Sequence, residues 1–299
     1  VAHPPAAGVY VDTAVVLLLI GALSKSAIVP FHFWLPGAMA APTPVSAYLH
    51  AAAMVKAGIY LIARLSPAFS TTPSWHIAVV ALGSVTMLIG GWRSLRELDL
   101  KLILAFGTVS QLGFMAVLVG IGDANVAMAG LAMLVAHAMF KASLFMVVGI
   151  IDHSTGTRDI RKLARLGHRL PVLAVTAAVA GASMAGLPFT MGFVGKETAF
   201  GSVWDTGAYS PFTAHTIDIV LLIGSVITFA YTCRFLWGAF GRKVRSEPSP
   251  AVVKMHPPTK GFMFSPVLLA VAGVVAAFLA KPIGSLFEPY AESLPTYGH

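Results

Sequence analysis

Residues 101–151 read KLILAFGTVSQLGFMAVLVGIGDANVAMAGLAMLVAHAMFKASLFMVVGII. Two apolar runs, Leu102 to Ile121 and Val126 to Ile151, stand back to back with only Gly122–Asn125 between them. Each meets the length of about 20 residues that a helix needs to cross hydrocarbon. Five further runs of this kind flank them: Val11 to Val29, Val45 to Leu65, Ile77 to Trp92, Ile217 to Phe240 and Phe262 to Ala280. An eighth, Val172 to Val203, is punctuated by Gly181, Gly186, Pro188, Gly192 and Gly195 and reads as a broken helix. Short strands with dyad alternation, the mark of a membrane barrel, are absent. The expectation is an all-α polytopic membrane protein of about eight spans, two of them discontinuous.

Composition agrees. Of 299 residues 57% are hydrophobic and only 11% charged, with mean hydropathy +0.81, which excludes a soluble globule and a disordered chain. The single cysteine, Cys233, excludes an internal disulfide and any cysteine-built zinc or iron–sulfur site. No Walker loop, dinucleotide fingerprint, catalytic triad or zinc helix motif is present, so neither cofactor nor metal is expected. The chain begins at Val1 with no signal-peptide pattern, and is read as part of a longer protein or an incomplete gene model.

Net charge is +8. The cations are segregated, so topology rather than nucleic acid accounts for it. Arg93, Arg96 and Lys101 lie in one connection; Arg158, Arg161, Lys162, Arg165 and Arg169 in a second; Arg242, Lys243, Arg245, Lys254 and Lys260 in a third. The intervening connections, Ser66–His76, Gly122–Asn125 and Asp205–Thr216, hold no Lys or Arg. Eight crossings put the basic loops in the cytoplasm and both chain ends outside.

Cations remain inside the spans: Lys25, Lys56, Lys141, Lys196 and Arg234, with His50 and His137. Each costs at least about 2.5–3.5 kcal/mol at mid-bilayer unless it meets water or a partner. Lys25 sits between Ser24 and Ser26 ahead of Pro30, whose missing N–H leaves the Ser26 carbonyl free, a break in mid-membrane. The bland alternative is a lysine snorkelling to the interface. His137 and Lys141 lie one turn apart on one face and suit a proton relay. His50 and Lys56 would face roughly 120° apart on a regular helix; His50 alternatively caps its helix. Lys196 follows the second break and precedes Glu197, with which it alternatively forms a structural ion pair. Lys101 is either a positive-inside anchor or the mouth of a proton path. Asp12 and Asp218 read as helix N-caps. No carboxylate cluster suited to a hard cation stands in the spans.

The stretches KSAIVPFHFWLPGAMAAPTPVSAYLHAAAMVKAGIYL (25–61), KLILAFGTVSQLGFM (101–115), HAMFKASLFMVVGIIDHSTGTRD (137–159) and GLPFTMGFVGKE (186–197) resemble the antiporter-like subunits shared by respiratory complex I and the Mrp cation/proton antiporters. DHSTGTRD, and Gly37 in WLPGAM, are similar to the branch of large A subunits of Mrp sodium/proton antiporters. The resemblance implies inverted five-helix repeats, each with a broken helix carrying a lysine, along a hydrophilic axis. Lys25 then takes the first broken-helix position, Lys56 the helix beside it, His137 and Lys141 the central relay, and Lys196 the terminal position. His50, Lys101 and Glu197 are secondary candidates, and Pro30, Pro188 and Gly192 mark the breaks. The resemblance further implies a glutamate partner for Lys25 upstream of Val1, partner membrane subunits, and protons and sodium as the ions moved. Residues 1–240 are expected to form the translocating domain, 241–261 a basic loop, and 262–299 an added span and tail. Two other readings are a proton-pumping subunit of complex I or a membrane-bound hydrogenase, and a structural membrane scaffold whose lysines are merely paired.

Overall fold

The computed structural model describes residues 8–241 and 247–295, and among these the chain is helical almost throughout. In order the helices are α1 Val9–Lys25, α2 Trp34–Gly37, α3 Thr43–Ala47, α4 Lys56–Phe69, α5 Pro73–His76, α6 Leu82–Arg96, α7 Leu100–Gly120 and α8 Ala124–Thr155. They continue with α9 Leu166–Arg169, α10 Pro171–Ala185, α11 Met191–Trp204, α12 Pro211–Phe240, α13 Pro250–Val253, α14 Lys260–Phe278, α15 Ala280–Ser285 and α16 Glu288–Ala291. Six stretches of the described residues are long and apolar enough to cross a membrane: Thr43–Phe69, Pro73–Arg96, Leu100–Gly120, Ala124–Thr155, Pro211–Phe240 and Lys260–Phe278. The other two expected crossings are interrupted. One is α1 followed by short turns through α2; the other is α10 followed by α11, broken at 186–190.

Helix α7 is the axis of the bundle. It is buried along nearly its whole length, with α4, α6, α8 and α12 around it, while α8 also packs against α10, α11 and α14. A helix with no solvated face reads as apolar all round, which is why 102–121 shows so little polarity.

The helix starts obey capping chemistry at residues just outside the apolar runs. Asp99 accepts from the Lys101 and Leu102 amides, Asp123 from those of Asn125 and Val126, Thr190 from Phe193, Ser210 from Thr213 and Thr259 from Phe262. Asp12 and Asp218 are not caps. Gly8 occupies that position for α1, leaving Asp12 exposed in the first turn, and Asp218 lies inside α12, two turns beyond its cap Ser210.

The alternation of charged and uncharged connections becomes two ends of one molecule. At the basic end, the Leu100 amide bonds the Arg158 carbonyl and the Ile160 amide that of Leu98, both at 3.0 Å. There the Ala164 amide meets Ser249 Oγ at 3.1 Å and the His256 amide meets the Ser154 carbonyl. Arg242, Lys243 and Arg245 lie outside the described residues. At the opposite end Trp75 Nε1 donates to the Gly120 carbonyl (2.8 Å), Thr206 to Asp123 (2.9 Å), and His76 bonds Tyr209. The tail returns to this end: Tyr290 OH reaches the Ala63 carbonyl and Pro295 accepts from Ala124.

Candidate functional site

The segment that carries His50 and Lys56 is not a regular helix. Its winding widens to a π turn over Tyr48–Ala52 and stops before α4 opens at Lys56. A π turn leaves carbonyls without their usual amide and is common at working sites. Lys56 Nζ, buried, turns back and donates to the Ala51 carbonyl. The angle of a regular helix therefore does not apply, and the two side chains enter the same interior. His50 is fully buried, its ring 4.8 Å from that of Phe145, and neither ring nitrogen has a partner, so it does not cap a helix.

His137 and Lys141 lie one turn apart on α8, both with no exposed surface. Lys141 Nζ donates to the Leu104 carbonyl of α7 at 3.0 Å, an oxygen that also accepts from Thr108 Oγ1 at 2.9 Å. His137 touches Phe140 edge-on, and both its nitrogens are unpartnered. Lys56, Lys141 and His50 stand within electrostatic reach of His137, as Lys141 and Lys101 do of His50. Lys101 is 1% exposed, with its ammonium on the carbonyls of Met39 (3.0 Å) and Ala41. Its side chain is turned into the protein, the position that the reading as a path mouth needs and a positive-inside anchor does not.

At the second break α10 closes on Gly186, whose φ of 84° suits glycine. Pro188 lies in the gap; Gly192 is already the second residue of α11, pressed against Ser183. Lys196 donates back across the gap to the carbonyls of Met184 (3.2 Å) and Ala185 (3.0 Å), the negative end of α10. It is not paired with Glu197, which is exposed and lines a crevice of about 280 Å³ with Asp123 and Asp205.

Lys25 differs from the rest. It ends α1 and is exposed, so the structure does not bring it into the buried set. Nor does Pro30 make the break: the helix has already stopped at Lys25, ahead of where the missing amide would act, and Ser26 Oγ donates to the Val55 carbonyl at 2.7 Å. Arg234 is also no lone intramembrane charge, since its guanidinium caps the Glu97 carbonyl at 3.0 Å at the basic end.

Sequence reading missed a polar edge of α7 and its neighbours on α12. Gln111 Nε2 donates to Thr228 Oγ1 at 3.0 Å and approaches the Tyr231 hydroxyl at 3.5 Å, while Gln111 Oε1, buried, has no partner. Both the Tyr231 ring and Lys141 Nζ lie about 3 Å from where a Gly107 side chain would stand. The signal was legible on α7, because 101, 104, 108 and 111 share one helical face. On α12 it was not, since Tyr231 reads as one more apolar residue.

Four buried ammonium groups thus rest on main-chain carbonyls, and none has a carboxylate ion-pair partner among the described residues. Such groups, with two unpartnered imidazoles among them, can take up and release protons and can order water. Among the described residues no three His, Cys, Asp or Glu side chains group as metal ligands.

The model of the NADH:quinone oxidoreductase/Mrp antiporter transmembrane family matches residues 8–222. The chain is 43% identical to the A subunit of the Na(+)/H(+) antiporter of Alkalihalophilus pseudofirmus, over 95% of the chain and 37% of the relative. It is 45% identical to the A/B subunit of the probable K(+)/H(+) antiporter of Rhizobium meliloti, over 91% of the chain and 27% of the relative. Among solved structures, the Mrp complex from Dietzia sp. DQ12-45-1b contains a chain that superimposes with a TM-score of 0.83 at 40% identity, covering 96% of this chain and 30% of that one. The chain thus spans about a third of the length of these relatives.

Proposed function

The chain belongs to the NADH:quinone oxidoreductase/Mrp antiporter transmembrane family, and from that premise we propose that it is a proton-translocating part of the large A component of an Mrp-type sodium/proton antiporter. It acts as a transporter subunit rather than an enzyme, among other membrane subunits, in a prokaryotic plasma membrane. The basic end faces the cytoplasm and both chain ends lie outside. Residues 1–240 carry the path, 241–261 a basic loop, and 262–299 an added span and tail.

The observation that carries this reading is the set of buried lysines, Lys56, Lys101, Lys141 and Lys196, held by carbonyls alone. A structural role would favour a carboxylate partner, because an unpaired buried charge is costly. A transport role needs the opposite, a proton that leaves when its neighbour is charged. In the proposed sequence a proton on one lysine raises the energy of the next, so the sites titrate as a group and displacement at one end drives release at the other. His50 and His137 bridge Lys56 and Lys141, and Glu197 with its crevice lies at the outer exit of Lys196. Proton entry is coupled to sodium exit; the relative from Rhizobium meliloti, named for potassium, favours potassium as the second reading.

In the full complex, in inverted membrane vesicles, Lys141→Ala and Lys196→Ala are expected to abolish sodium-dependent dequenching of a pH-sensitive dye with assembly intact. Normal antiport by both variants sinks the reading. Lost assembly with normal transport per assembled complex favours a structural scaffold.

A further inference from the structure

The basic end holds a charge cluster that the relay does not use. Arg158, in the connection after α8, donates through Nε to Asp99 Oδ2 at 3.0 Å and through a terminal nitrogen to Asp152 Oδ2 at 3.2 Å. Burial works against its charge, but these two carboxylates hold its pKa above the usual guanidinium value. The other Asp99 oxygen caps α7, accepting from the Lys101 amide at 2.7 Å. One carboxylate thus links Arg158 to the turn on which Lys101 stands.

Asp99, Asp152 and Arg158 all act electrostatically on Lys101, yet its ammonium bonds only the Met39 and Ala41 carbonyls. The remaining charged neighbours are committed elsewhere. Glu97 pairs with Arg93 on α6, Arg234 of α12 holds the Glu97 carbonyl, and Asp159 is bound by Arg161. From the π turn His50 faces Lys101 and Lys141.

We propose that Arg158 is a positioning residue for Lys101: by engaging both Asp99 and Asp152 it keeps these carboxylates off the Lys101 ammonium, which is left on main-chain carbonyls and free to pass its proton inward. A carboxylate that reaches a lysine holds its proton; a guanidinium, permanently charged and forked, occupies two carboxylates without competing for the proton. Arg158 offsets one of the two carboxylate charges and engages both groups by hydrogen bonds. The inference rests on the relay reading, with Lys101 as its inner mouth.

The test is the pH profile of sodium-dependent dequenching by the full complex in inverted vesicles, where the basic end faces the medium. Arg158→Gln frees Asp152 and the Oδ2 of Asp99, whose Oδ1 still caps α7, and is expected to shift the profile to alkaline pH by about one unit. Adding Asp152→Asn to Arg158→Gln moves it back. Arg158→Lys, with one donor point in place of a fork, shifts it less in the same direction and serves if the glutamine variant does not assemble. A uniform fall in rate with no shift, or a shift that Asp152→Asn does not reverse, assigns Arg158 a merely structural role and overturns the proposal. Full activity of Lys101→Ala while Lys141→Ala is dead also overturns it and spares the relay; full activity of Lys141→Ala and Lys196→Ala instead removes the relay itself.

Discussion

The two interrupted spans meet one difficulty in opposite ways. A helix that stops inside a membrane leaves its last carbonyls without amides, and no lipid can supply a donor. At the end of α1 the Ser24 carbonyl is filled by the indole N–H of Trp34 at 3.0 Å, and the following Val29 amide is satisfied by Thr86 Oγ1 at 2.9 Å. At the end of α10 the Met184 and Ala185 carbonyls are filled by the Lys196 ammonium. Lys25 precedes its break and lies exposed; Lys196 follows its break and reaches back across it. Only at the second break does the lysine ammonium itself close the broken helix, so that losing its proton would also change what the main-chain carbonyls bond.

The largest separation between the two is expected from Lys→Arg, which keeps the charge and alters shape and proton affinity. Lys196 is buried, its stem close against Gly186 and its ammonium on the Met184 and Ala185 carbonyls. Lys196→Arg should lose nearly all sodium-dependent dequenching, because arginine does not deprotonate. Lys25→Arg, at an exposed position, should retain at least roughly half of it. Equal loss in both would mean that Lys25 is enclosed in the working complex as tightly as Lys196, and the contrast would vanish.

An intermediate effect is expected from two glycines that let a neighbouring helix press on each break. A side chain at Gly58 would overlap the Ala22 carbonyl, and one at Gly192 the Ser183 carbonyl. Neither overlap can be relieved by a rotamer, so Gly58→Ala and Gly192→Ala should each cost about 2–3 kcal/mol, read as the temperature at which the purified complex disassembles. They should differ per assembled complex. Gly192→Ala displaces the helix whose Lys196 closes the break and should slow transport most; Gly58→Ala displaces α4, on which Lys56 stands two residues away, and should slow it less. Equal transport per complex would show that the second break tolerates movement, contrary to the role given to Lys196.

Much of this is legible in the amino-acid sequence, for identifiable reasons. Apolar run length locates the spans, and the absence of Lys and Arg from alternate connections sorts the two ends, because both signals depend on the solvent and not on neighbours. His137 and Lys141 are legible as a pair because α8 is regular there. His50 and Lys56 are not correctly related by spacing, since nothing local announces a π turn that changes their angle. For Lys25 the apolarity of the residues after it misleads, whereas its exposure depends on what packs against α1. Asp12 and Asp218 resemble caps because they stand at the edge of apolar runs, while Asp99 and Asp123, which do cap, stand just beyond. Tyr231 and the Arg158 cluster join residues far apart in the chain, which no window reveals.

The smallest effect is expected at the indole that closes the first break. Trp34→Phe keeps an aromatic ring and removes the indole donor to the Ser24 carbonyl, which still accepts from the Ala27 amide at 3.3 Å. The cost is about 0.5–1 kcal/mol, since one of two donors to the same oxygen is lost; it should appear as a small drop in disassembly temperature. Transport per assembled complex should be unchanged, because no proton is exchanged by an indole at any accessible pH. The matching change at the second break, Lys196→Met, also keeps the stem and removes the donor, yet it should stop transport outright. If Trp34→Phe instead stopped transport in an assembled complex, the carbonyl end of α1 would itself be part of the proton path, and the two breaks would be working copies of one device and not, as proposed, a closed end and an active one.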